Sequence, residues 1–215
     1  MLLANTFLII GFINIFDSSK QVDLRNFLFN AGFFLTLALF IYPAYLFFVA
    51  IGLFGFYNLK SLKPIGNLQF LSGIITCLIL VSGMQYLIED RWMTEVNFSP
   101  FWQVGPKAMP DFTTWIFITM YAFVLIATIG FYPDLIAKKN IQNRKKIELV
   151  YVMQLSTLVS AVFFFQGNLL QVMVLAFPLG TLMGLRLSEL KSPIFAEVIH
   201  LILLSGLFII QYLFP

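Results

Sequence analysis

Hydrophobic residues fall in long uninterrupted runs separated by short polar stretches. The runs are residues 1–16, 27–56, 68–88, 112–132, 147–165, 169–185 and 194–213. A helix rises about 1.5 Å per residue, so about 20 residues cross the roughly 30 Å core of a bilayer. Most of the runs reach or approach that length. Backbone donors and acceptors must pair internally in lipid, and runs this long do so as helices. A transmembrane barrel would alternate apolar and polar residues in segments of about ten, and the chain has no such alternation. The pattern predicts an all-α polytopic transmembrane bundle: one integral membrane domain over residues 1–215, with about six crossings plus a re-entrant helical pair.

Two runs depart from a simple span. The 30 residues of 27–56 are interrupted by Pro43. They read either as one kinked, tilted span or as two helices of about 15 residues joined at Ile41-Tyr42-Pro43-Ala44, because proline removes a backbone donor and disfavours helix just before it. Run 1–16 makes only about 24 Å of helix. No basic stretch precedes it and no clean small-residue cleavage site comes before Asp17, so a secretory signal fits it poorly. It reads instead as part of a longer protein that has lost its beginning, or whose start falls at an internal methionine.

Lysine and arginine gather in cytoplasmic loops. Loop 133–146 holds Lys138, Lys139, Arg144, Lys145 and Lys146 and is therefore placed in the cytoplasm. Alternation puts 58–67 and 186–193 on the same side, with loop 89–111 and the Gln166-Gly167-Asn168 turn outside. If 27–56 enters and leaves on one side, eleven basic residues lie inside and two outside; a single crossing gives nine against four. The hairpin fits the rule better. The expected setting is a bacterial inner membrane, with the lipid bilayer as partner and the five basic residues of loop 133–146 able to hold anionic headgroups. The simplest role of that loop is to fix orientation.

Composition narrows the chemistry. Of 215 residues, 60% are hydrophobic and 11% charged, against about 25% charged in soluble domains. That excludes a soluble enzyme, a nucleic-acid binder and a disordered chain. The single cysteine, Cys77, permits no intrachain disulfide. The single histidine, His200, falls short of the two or three ligands of a zinc or non-haem iron site. No metal and no cofactor are expected. The net charge of +3 comes largely from one loop and implies no nucleic-acid partner. Phosphate-binding glycine motifs are missing too.

Candidate functional residues fall in three places. Loop 89–111 holds Asp90 and Glu95, a carboxylate pair able to divide acid and base roles. It also holds Trp92, Trp102 and Asp111, suited to a sugar or a polyprenyl headgroup. An interfacial loop explains the same residues, since tryptophan favours the headgroup region. Glu197 and His200 share a face of the last run, and such a pair serves a proton-coupled carrier. Near the start of its span, however, Glu197 can reach water. The amides Asn30, Gln85, Gln154 and Gln171 suit a polar path or bonds between helices. Gly180 and Gly184 form a small-xxx-small pair that permits close helix packing.

Two stretches carry a family resemblance. Met1-Leu2-Leu3-Ala4-Asn5-Thr6-Phe7 leads through a short charged loop to Asn30-Ala31-Gly32-Phe33-Phe34-Leu35-Thr36-Leu37-Ala38 and Tyr42-Pro43-Ala44-Tyr45. Phe177-Pro178-Leu179-Gly180 later runs into Leu187-Ser188-Glu189-Leu190. This layout resembles an uncharacterised family of polytopic inner-membrane proteins of Gram-negative bacteria, over nearly the whole chain. The likeness rests on spans and small residues and not on a catalytic signature; members usually carry further transmembrane sequence before the position of Met1. A more distant likeness is to membrane glycosyltransferases that use polyprenyl-phosphate sugars. Their catalytic acid sits in a first external loop, which has no counterpart upstream of Met1, so this likeness implies architecture alone.

The leading expectation is a multi-pass inner-membrane protein of unknown biochemical activity, a subunit of an envelope-assembly system. The alternatives are a lipid-linked sugar transferase with Asp90 or Glu95 as its acid, and a small carrier using Glu197 and His200. Whether the chain is an enzyme is left open.

Overall fold

The apolar runs fold as helices that end at polar or proline-marked breaks. The computed structural model describes residues 2–18, 25–59, 64–89, 112–137, 139–164, 169–190, 192, 194–202 and 205. In order they form α1 (Leu2–Ser18), α2 (Arg25–Ile41), a 3-10 turn (Pro43–Tyr45), α3 (Leu46–Leu59) and α4 (Pro64–Glu89). Then come α5 (Phe112–Gly130), α6 (Tyr132–Ala137), α7 (Ile141–Phe164) and α8 (Leu169–Ser188). Residues 194–202 are helical as well. Among the described residues there is no strand.

Pro43 divides the longest run. Tyr42 before it is extended, at φ −143° and ψ 104°, as the proline ring requires of its predecessor. The chain then turns, with the Tyr45 amide donating to the Tyr42 carbonyl at 3.0 Å, and α3 begins. α2 and α3 fold back on each other. A Cβ on Gly52 would lie 2.7 Å from Cδ1 of Leu35, and those two residues are almost equally far from Pro43 along the chain. The stretch is therefore a helical hairpin and not one kinked helix.

Glycines set how closely the helices approach. Leu35 points between two of them: a Cβ on Gly11 of α1 would come within 2.8 Å of its Cγ, opposite the Gly52 contact from α3. α2 and α4 approach more closely still. A Cβ on Gly32 would fall on the Phe70 carbonyl, and one on Gly73 on the Phe29 carbonyl, so the two backbones meet directly. Gly55 of α3 receives Leu149 of α7, 2.6 Å from its ideal Cβ.

Around these contacts Leu8, Phe12 and Ile15 of α1, Leu35 and Ala38 of α2, Phe48 of α3, Phe70 of α4, Met153 of α7 and Val174 of α8 form one buried core. Phe12 stacks on Phe177 of α8 at 5.7 Å and meets Phe48 edge-on at 6.0 Å. At one end of the core the Tyr45 hydroxyl, fully buried, donates to the side-chain oxygen of Asn5. That bond ties the hairpin turn to the start of α1.

Helix length supports fewer crossings than the six expected. Among the described residues one stretch, Gly66–Ile88 within α4, is long and apolar enough to cross a membrane. α1 and α2 have 17 residues each and α3 has 14, which is about 26 Å and 21 Å of helix. The first turns of α7 carry Arg144, Lys145, Lys146 and Glu148. An apolar run need not cross, because one also forms where short helices bury much of their surface against one another. α4 is the opposite case: it packs on α2 and leaves Leu68, Ile79, Met84, Leu87 and Ile88 exposed.

Candidate functional site

Polar side chains concentrate in two places, the end of the bundle beyond α5 and the seam between α5 and α7. At the end, α6 and the α7 start form a tight corner. The Arg144 Nε donates to the Lys139 carbonyl at 2.8 Å and its Nη2 to the Ala137 carbonyl at 3.3 Å. The second bond occupies a carbonyl at the end of the short α6, and the first one in the turn that follows it. Lys139 pairs with Glu189, just past α8, at 2.7 Å. The Arg186 guanidinium lies 4.4 Å from the Phe131 ring centre and 3.6 Å from the Asp134 carboxylate. Lys146 Nζ donates to the Phe16 carbonyl at 2.7 Å, placing a positive charge on the negative end of the α1 dipole.

These contacts bring the C-termini of α1 and α8 and the N-terminus of α7 to one end. The described parts of 133–146 and 186–193, expected on one side from charge and alternation, therefore meet in space. Of the five basic residues suited to anionic lipid, Lys139, Arg144 and Lys146 have internal partners. Lys145 is half-buried, and Lys138 lies outside the described residues.

The seam is built on α7. Tyr151, Gln154 and Thr157 recur every three residues and so lie along one side of the helix. Tyr151 donates to the Thr128 carbonyl of α5 at 2.6 Å, and its ring meets Tyr132 edge-on at 4.8 Å. The Thr157 and Thr128 hydroxyls donate to carbonyls of their own helices, Gln154 and Leu125, each at 2.8 Å. Gln154 is 2% exposed, yet neither atom of its amide has a hydrogen-bond partner. The Tyr121 hydroxyl is buried beside it and approaches the Gln154 amide without reaching full hydrogen-bond geometry. Of the amides noted in the sequence, Gln154 is buried and Asn30 exposed, and the Gln171 side chain lies outside the described residues. Tyr121 and Tyr151 went unnoticed, although a phenol inside an apolar run and the three-residue spacing of Tyr151, Gln154 and Thr157 were both available signals.

Asp90, Trp92, Glu95, Trp102 and Asp111 lie outside the described residues. Glu197 and His200 sit on the exposed surface of helical residues 194–202, among exposed Ile194, Phe195, Leu201 and Ile202. Among the described residues no three His, Cys, Asp or Glu side chains gather closely enough to hold a metal. Close packing at Gly180 and Gly184 is not observed: nothing stands within 4 Å of a Cβ on either among the described residues. They lie on sides of α8 turned away from its described neighbours.

Among the described residues these features define an all-helical bundle with an apolar core, one polar seam, a basic end and one stretch of membrane-crossing length. The chain belongs to a family of unknown function (DUF6427), matched over residues 1–213. No curated protein and no solved structure matches it.

Proposed function

We propose that the chain is a multi-pass inner-membrane protein that acts as a helical subunit of an envelope-assembly system, with its basic end in the cytoplasm. One observation carries the reading: charge sits at one end while large apolar side chains cover the sides. The six described lysines and arginines, Arg25, Lys139, Arg144, Lys145, Lys146 and Arg186, all belong to that end. Along the sides, Leu87 is 83% exposed, Ile88 78% and Phe123 75%. Exposed apolar patches beyond a few hundred Å² are rare in water, whereas lipid covers them without penalty.

In this reading α1 and the α2–α3 hairpin enter the bilayer as short elements. They are shielded by α4 and α7, and the hairpin returns to the side it entered from. Helices too short to cross unaided sit in a bilayer when longer neighbours enclose their ends.

Membrane fractionation tests the proposal. The chain is expected to stay in the pellet after an alkaline carbonate wash and to dissolve only in detergent. In mild detergent it is expected to run as an assembly larger than one chain in its micelle. A folded, monodisperse chain in the aqueous fraction of a detergent-free lysate would overturn the membrane reading. A monomer in every mild detergent would overturn the subunit reading.

A further inference from the structure

We propose that Gln154 and Tyr121 bind a water molecule in the seam between α5 and α7. The inference does not depend on the membrane reading, because it rests on hydrogen-bond accounting inside the bundle. Gln154 offers two donors and an acceptor, and all are buried without a partner. The Tyr121 hydroxyl approaches that amide without reaching full hydrogen-bond geometry. Groups this deeply buried are almost always satisfied, by protein or by ordered water.

The protein has little left to offer them. The Tyr151 and Thr157 hydroxyls, the nearest polar groups on the same side of α7, already donate to carbonyls. A bond between Tyr121 and Gln154 alone would leave amide donors over. A water supplies two donors and two acceptors and fits a site with two to four polar partners.

The ligand must be uncharged. Lys146 and Glu148, the nearest charges along α7, lie about 12 Å and 9 Å away at helical rise, so an ion would stay uncompensated in the core. The helix arrangement leaves this place to side chains. α5 packs on α8 and reaches α7 through its own Tyr121 and through Tyr151.

The test uses the full chain in nanodiscs, with nitrogen-15 glutamine, and water itself as the probe. Loss of one side-chain amide signal in Gln154→Met assigns it. The wild type is expected to give a cross-peak between that amide and bound water, and Tyr121→Phe to lose it. Gln154→Met is expected to lower the unfolding midpoint by about 3 °C, the scale for one lost buried bond in a chain of this size. No water cross-peak in the wild type would overturn the proposal, as would a Gln154→Met variant that melts above it. Where Gln154→Met does not fold, Tyr121→Phe decides: a lost cross-peak supports the site and an unchanged one refutes it.

Discussion

Helices α1–α4 and helices α5–α8 are held together by different means. In the first group glycines bring backbones together: Leu35 lies between Gly11 and Gly52, and Gly32 and Gly73 let α2 and α4 touch. In the second, side chains reach across: Tyr151 to Thr128, Lys139 to Glu189, Arg186 to Asp134 and Phe131. A glycine contact leaves no polar group unpaired but tolerates no added atom. A side-chain tether tolerates change, contributes little alone, and leaves polar groups such as Gln154 in the interior. Shape fixes the first group, then, and replaceable bonds hold the second. Each group keeps some polar chemistry inside, the Tyr45–Asn5 bond in the first and Gln154 in the second.

The two groups should respond to mutation on different scales. Replacing Gly73 with leucine sets a side chain against the Phe29 backbone, which cannot give way, and is expected to cost about 3 kcal/mol or more. Thermal unfolding in detergent measures it; a melting point within a degree of wild type would erase the distinction. Leu35→Ala empties the space between Gly11 and Gly52, for an expected loss of about 2–4 kcal/mol by the same measurement. Across the seam Tyr151→Phe removes one bond to a carbonyl that keeps its own helix, for about 1 kcal/mol. A larger loss there would mean that the tether also fixes shape. Lys139→Ala is expected to cost under about 1 kcal/mol, because its pair with Glu189 is partly exposed, and the cost should shrink in high salt. A double-mutant cycle with Glu189→Ala isolates that term. Gly180→Ala closes the series with a change within about 0.5 kcal/mol, since open space stands over it.

Some of this was legible in the residues. Apolar runs marked the helices and Pro43 marked the hairpin turn, while the Lys139–Glu189 and Arg186–Asp134 pairs show that parts of 133–146 and 186–193 meet. The glycine contacts were not legible. Gly180 and Gly184 have the familiar spacing, but Gly32 and Gly73 make the contact, because it depends on which helix faces meet. Run length does not by itself count crossings for a related reason: hydrophobicity records burial against lipid and against protein alike. The seam escaped notice because Tyr121 and Gln154 are separated by 33 positions and become neighbours only once α5 and α7 are placed.

The membrane-embedded hairpin is tested most directly by cysteine labelling in a Cys77→Ser background. Asn26→Cys at the start of α2 and Asn140→Cys before α7 occupy exposed positions at the basic end. Neither is expected to react with an impermeant maleimide in intact cells, and both are expected to react in inside-out vesicles. Labelling of either one from the outside of intact cells would contradict the account.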